Sequence, residues 1–187
     1  MNAEQGPRPM SRKRYSAYVV ILLCAVVLLY LLVGRGMQFF LVPTNSMRPT
    51  FQPQDYILTL TERQYQRGDL VVLQDPMDHL GFVVKRIVGV GGDVVSVENN
   101  ALHIDGQYVS EPYLMEPAIV YVFPPYQVPE DHVFLLGDNR NQSDDSTNWP
   151  RRSVPEDTIV GKVRLIYLPF ARMGKVHAYP LEVPRLD

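Results

Sequence analysis

Residues 81–90, GFVVKRIVGV, decide how the chain is read. Four valines and one isoleucine in ten residues point to an extended strand. Their branched side chains are stiff at χ1 and pack well on a pleated surface. Alternation along that strand puts Lys85 on one face with Val83 and Ile87, and turns Arg86 to the other. An amine between apolar neighbours is open to desolvation, while Arg86 can stay solvated or paired. That asymmetry marks Lys85 as a candidate for chemistry.

The segments on either side have the same character. DYILTL (55–60), DLVVLQ (69–74), HVFLLGDN (132–139) and TIVGKVRLIYLP (158–169) are short apolar runs rich in β-branched residues. VVSVENNALHIDGQYV (94–109) predicts a hairpin or short meander, with turns at Asn99-Asn100 and Asp105-Gly106. Residues 111–131, dense in proline and aromatics, predict an irregular excursion or edge strands. Sixteen prolines and twelve glycines in 187 residues disfavour a helix bundle and suit strands joined by turns. The expected fold class is therefore mainly β, an antiparallel sheet domain.

The N-terminal part differs. AYVVILLCAVVLLYLLV (17–33) carries no charge, and with its flanks reaches about 20 residues, the length that crosses roughly 30 Å of hydrocarbon as a helix. Arg8, Arg12, Lys13 and Arg14 precede it against one acid, Glu4, and only Arg35 follows closely. The positive-inside rule then predicts a cytoplasmic basic segment 1–14, a single transmembrane helix 15–34, and an extracytoplasmic β-rich domain 35–187. A cleaved signal peptide shares the basic and apolar regions, but its apolar core is shorter, and Gly34-Arg35-Gly36 replaces an Ala-x-Ala site.

Composition excludes other classes. A formal net charge of −2 gives no basic face for nucleic acid. The single cysteine, Cys24, permits no intrachain disulfide, and no Cys/His spacing suits a metal. No cofactor is implied. His79, His103, His132 and His177 are scattered and show no triad pattern, and Trp149 is expected to pack.

FFLVPTNSMRPTF (39–51) follows the apolar helix and sets Ser46 between two prolines. A serine hydroxyl is a weak nucleophile unless a base lies within about 3 Å. A free lysine, with a pKa near 10.4, is neutral in only about one molecule in 2,500 at pH 7, so burial must supply the base.

Four stretches together carry a family resemblance: SMRPT (46–50), RGDLVV (67–72), KRIVGVGGD (85–93) and GDNRNQSDDS (137–146). In this order, behind an apolar N-terminal segment, they resemble the type I signal peptidases, membrane-bound serine proteases with a Ser-Lys dyad. The resemblance implies a signal-peptidase-like β fold, Ser46 as nucleophile and Lys85 as general base. It implies that Thr44 and the Ser46 backbone N–H donate to the oxyanion, and that Ser143 orients the lysine amine. Asp138, Arg140 and Asp145 match residues that brace the site. Two positions depart from the family pattern. Gly91 stands where proline is usual, and Thr147 where arginine is usual, which leaves Arg151 or Arg152 as the expected partner of Asp145.

The implied substrates are preproteins bearing signal peptides, cut after small residues and bound as an added strand. Phe40, Val42, Pro43 and Val84 are expected to line the substrate pockets. Met47 is expected to be exposed and, with Phe39, Phe40 and Leu41, to rest the domain on the lipid bilayer. The implied location is the plasma or inner membrane, or a thylakoid membrane in a photosynthetic cell. Two alternatives stand beside this reading: another Ser-Lys peptidase, such as a conjugation-pilin protease, and an inactive membrane-tethered module that binds peptides. Nothing in the sequence fixes an oligomeric state.

Overall fold

The computed structural model describes residues 12–34, 36–116 and 118–181, so most of the expected basic segment 1–14, and Arg35, lie outside the described residues. Helix α1 (Arg12–Val33) belongs to a compact unit of residues 1–36, and the remainder forms a second unit from Met37 onward. No proline or glycine interrupts α1, and its described side chains, positions 14 to 30, are exposed. Among the described residues no helix is long and apolar enough to cross a membrane. The expected span, 15–34, runs past the last described side chain of α1.

The second unit is built from two antiparallel sheets. The larger joins β1 (Gln38–Leu41), β2 (Tyr56–Leu60), β3 (Leu70–Gln74), β4 (Phe82–Val90), β9 (His132–Leu136), β10 (Val154–Pro155), β11 (Ile159–Leu168) and β12 (Gly174–Lys175). Their order is β1-β2-β11-β3-β4-β9-β10, with β12 also paired to β11. The smaller sheet runs β7-β6-β5-β8, from β5 (Val94–Glu98), β6 (Ala101–Ile104), β7 (Gln107–Tyr108) and β8 (Phe123–Gln127). β8 is an edge strand, as the proline-rich composition of residues 111–131 predicts.

The two expected turns of the meander are present. Asn99 and Asn100 have φ of 49° and 65°, and Asp105 and Gly106 have φ of 54° and 74°. Paired positive φ values are those of the tight hairpin turn, which Asn, Asp and Gly tolerate best.

Three apolar clusters hold the sheets. Val95, Val97, Leu102 and Ile104 of the smaller sheet close on Phe134 and Leu136 of β9. Val71, Leu73, Ile87 and Leu135 pack with Trp149, which is a core residue as expected. Val42, Met47, Phe51 and Ile57 pack with Leu70, Val72 and Val84 on the other face.

Residues 38–41 form β1 and pair with β2 in the register Gln38↔Thr59 to Leu41↔Tyr56. One expectation is corrected here. Met47 is not exposed but is 1% accessible, because the turn after β1 folds inward and Phe51 N–H donates to the Met47 carbonyl. Phe39 and Leu41 do face outward.

Candidate active site

Ser46 sits on the turn between β1 and β2, and Lys85 in the middle of β4. Both line one cavity of about 200 Å³. Thr44 and Asn45 form its wall beside Ser46, while His79, Leu80 and Val83 close it from the β3–β4 hairpin. Gln142 and Asp144 complete it from the loop after β9. A larger hollow of about 570 Å³ beside Phe82 and Val160 holds neither Ser46 nor Lys85, so size does not locate the chemistry.

Lys85 is 2% accessible. Burial pushes its amine below the ordinary lysine value, and Asp145, Asp144, Asp75 and Asp138 pull the other way without overcoming it. Its Nζ donates to Ser143 Oγ at 3.1 Å, which fixes the direction of the amine. Thr44 Oγ1 and Ser46 Oγ are 3.1 Å apart. Among the described residues the Ser46 N–H has no protein acceptor, as an oxyanion donor requires. No hydrogen bond joins Ser46 to Lys85 in this conformation, a looseness common before substrate binds.

Gly137 allows these parts to meet. A Cβ there would stand 2.2 Å from Ser143 Oγ and 2.5 Å from the Ser46 carbonyl oxygen, too close for any side chain. Asn139 N–H donates to that same Ser46 carbonyl at 3.0 Å and its side-chain amide to the Asn45 carbonyl, so the fourth motif grips the Ser46 turn directly.

The bracing residues have definite partners. Asp138 takes two hydrogen bonds from Arg86, Nε at 2.8 Å and Nη2 at 2.7 Å, and a third from the Thr50 hydroxyl. Arg86 also donates to the Gly68 carbonyl at 3.0 Å and stacks on Tyr113, 3.8 Å from the ring centroid. Thr50, Gly68, Arg86 and Asp138 come one from each of the four motifs, so this buried knot explains why the motifs occur together. Arg140 is bound elsewhere, to Glu111 and the Gly137 carbonyl. Asp145 accepts the Gly137 N–H at 3.1 Å and the Thr147 hydroxyl at 2.8 Å. The expected exchange of partners is therefore corrected: Thr147 itself satisfies Asp145, and Arg152 lies instead over the Phe123 ring.

Of the four expected pocket residues, none lines the cavity that Ser46 and Lys85 share. Val42 and Val84 are buried in the core with Met47, Phe40 packs against that cluster, and Pro43 is exposed. The period-2 rule explains Val84: only Val83 shares the Lys85 face. Glu111 and Tyr113 carry no local signal of a role, because the arginines they meet, Arg140 and Arg86, lie far away in sequence. Among the histidines, His79 lines the cavity, whereas His103 meets the Ala101 carbonyl and His132 that of Glu130.

Comparison with known proteins follows from this geometry. The family model described as "Signal peptidase, peptidase S26" matches residues 15–168. The chain belongs to that family. It is similar to "Signal peptidase I S" of Bacillus subtilis (strain 168), 31% identical over 191 residues, covering 95% of this chain and 100% of the relative. It is 29% identical to "Probable signal peptidase I-1" of Synechocystis over 192 residues, covering 94% of each chain. A crystal structure of a signal peptidase I from Enterococcus faecalis V583 superposes with a TM-score of 0.48 at 28% identity, over 55% of this chain and 98% of that one. The family match and the similar peptidases of known sequence make this chain a serine endopeptidase of the kind that removes signal peptides.

Replacing the amine's anchor tests how this peptidase holds its lysine. With Lys85 as the base that the family resemblance implies, Ser143→Ala is expected to lower kcat by up to about 100-fold, since small misplacements of a reacting group cost that much. KM should change little, because Ser143 holds the lysine and not the peptide. A fall in kcat/KM carried wholly by KM would contradict the assignment.

Proposed function

We propose that Ser46 is the nucleophile and Lys85 the general base with which this chain cuts signal peptides from preproteins. The observation that carries the reading is the buried Lys85 amine, held by Ser143 in the cavity that Ser46 lines. In the first step Lys85 Nζ takes the Ser46 Oγ proton as Oγ attacks the scissile carbonyl. The Ser46 N–H and the Thr44 hydroxyl stabilise the oxyanion, each worth a few kcal/mol in such sites. The lysine then gives its proton to the departing nitrogen, and water, deprotonated by the same amine, releases the acyl group.

The second part of the proposal is a single membrane pass by α1. From residue 15 to residue 33 α1 extends about 28 Å at 1.5 Å per residue, close to the thickness of a hydrocarbon core. The charge-free run 17–33 and the basic residues before it orient the N-terminus to the cytoplasm and the β domain to the opposite side. The plasma or inner membrane follows, or a thylakoid membrane in a photosynthetic cell. On this reading Phe39 and Leu41, exposed on β1, lie where the domain faces lipid.

Cleavage of a preprotein by the detergent-solubilised full chain tests the dyad. The parent should release the mature protein, and Ser46→Ala should lose that activity while keeping its thermal transition. Cleavage by Ser46→Ala at the parental rate would overturn the assignment. Extraction of the chain from membranes by alkaline carbonate would overturn the single pass.

A further inference from the structure

The wall of the catalytic cavity contains one carboxylate that neither the dyad nor the fold employs. Four ionisable side chains line the cavity: Asp75, His79, Lys85 and Asp144. Asp75 is occupied with its own hairpin, accepting the backbone N–H groups of Met77, His79 and Leu80, each at 3.0 Å. Asp144 is exposed, and among the described residues its carboxylate has no hydrogen bond or ion pair. Its neighbours on the loop are committed: Ser143 holds the Lys85 amine, and Asp145 holds Gly137 and Thr147.

The reaction dictates what passes near Asp144. Because one lysine takes the proton from Ser46 and delivers it to the departing nitrogen, that nitrogen must approach Lys85 Nζ, and Ser143 marks this edge of the cavity. The first residue of the released chain therefore lies on the Ser143–Asp144 side. It also becomes a free amine there, which takes up a second proton at neutral pH. With Lys85 neutral, the carboxylates of Asp75 and Asp144 leave the cavity negative.

We propose that Asp144 is a specificity-determining residue, which favours a basic and disfavours an acidic residue immediately after the scissile bond. This inference rests on the dyad reading above. Its substrate class is the subset of preproteins whose mature chain begins with a neutral or cationic side chain. Asp144 also bears on Lys85 directly, as one of the carboxylates that raise the lysine's proton affinity.

Three preproteins that differ only in the first mature residue, Lys, Gln or Glu, provide the test with the full chain in detergent. The parent is expected to prefer Lys over Glu by about tenfold in kcat/KM at low salt, with the ratio shrinking as ionic strength rises. Asp144→Asn should bring the ratio to within about twofold, and Asp144→Lys should reverse it. The Asn variant should also move the acid limb of kcat/KM to lower pH, because removing a nearby negative charge weakens proton binding by Lys85. A parent with no charge preference, or an Asn variant with the parental ratio, would overturn the inference even if the limb moves. Failure of the parent to cut all three preproteins would overturn the dyad reading, and this inference with it.

Discussion

Lys85→Met is expected to abolish cleavage and, at the same time, to raise thermal stability. The loss of activity follows from the roles assigned to the amine. In the proposed mechanism it accepts the serine proton, donates to the leaving nitrogen and activates the water, so no step proceeds without it. A fall of about 10³-fold or more in kcat is expected, as for other groups that act as a unit with their nucleophile. The stability gain follows from burial. Lys85 is 2% accessible and its folded-state proton affinity is depressed below the ordinary lysine value by burial. The native chain therefore binds fewer protons than the unfolded chain between those two values, and stability rises with pH through that window. Below the depressed value the cost of the buried amine is present in full; above the ordinary lysine value it is gone.

Methionine has nearly the same shape and no charge, so it fills the site without that cost. Thermal denaturation of the parent and of Lys85→Met at several pH values should show the largest gap at neutral and acid pH, closing towards pH 10. A parent more stable than the variant at pH 7 would contradict the account of the lysine as a desolvated base. The parent's own pH–rate profile gives a second check. Activity requires the neutral amine, so its acid limb should lie well below the titration of a free lysine.

How much of this was legible in the sequence depends on the range of each interaction. Strands β2, β3, β4, β9 and β11 follow from runs of β-branched residues, and the turns at Asn99-Asn100 and Asp105-Gly106 follow from residues that tolerate positive φ. These are local signals. The division into two sheets is not local. It depends on β11 pairing with β2, β3 and β12, with register shifts that no periodicity encodes. Strand β1 is hidden for another reason: its apolar residues adjoin an apolar helix, and composition does not separate the two. Met47 looks exposed in a turn between prolines, yet the turn folds over the core.

The site divides in the same way. The apolar face of its strand foretells the burial of Lys85, whereas the roles given to Lys85, Ser46, Thr44 and Ser143 come from the family resemblance. Arg86 could be solvated or paired on the sequence alone; the structure shows it buried and paired. Val84 could have been excluded from the cavity by alternation, since it cannot share a face with Lys85. Thr147 replaces an arginine without an ionic substitute, because a backbone N–H and two short-range donations already satisfy Asp145.

Asp138→Ala is expected to produce the largest loss of stability of any single change near the site. Arg86 and Asp138 are 1% and 0% accessible, joined by two parallel hydrogen bonds. Burial acts to lower the proton affinity of Arg86, but its bonds to Asp138 and the charge there hold it above the ordinary value, so the guanidinium remains charged. Removing the carboxylate leaves that charge buried beside the Gly68 carbonyl and the Tyr113 ring. Breaking such a pair costs about 3–5 kcal/mol. For a chain of this size that corresponds to a fall of roughly 10 °C in Tm.

Activity should fall with stability, since Thr50 on the Ser46 turn also loses its acceptor. The double variant Arg86→Met, Asp138→Leu separates the two effects. It removes both charges, so much of the stability should return. The ties from Arg86 to Gly68 and from Asp138 to Thr50 would still be missing, and kcat should therefore remain below that of the parent. If the double variant is no more stable than Asp138→Ala, the cost does not arise from an unpaired charge. If it regains full activity, the knot stabilises the fold without positioning Ser46.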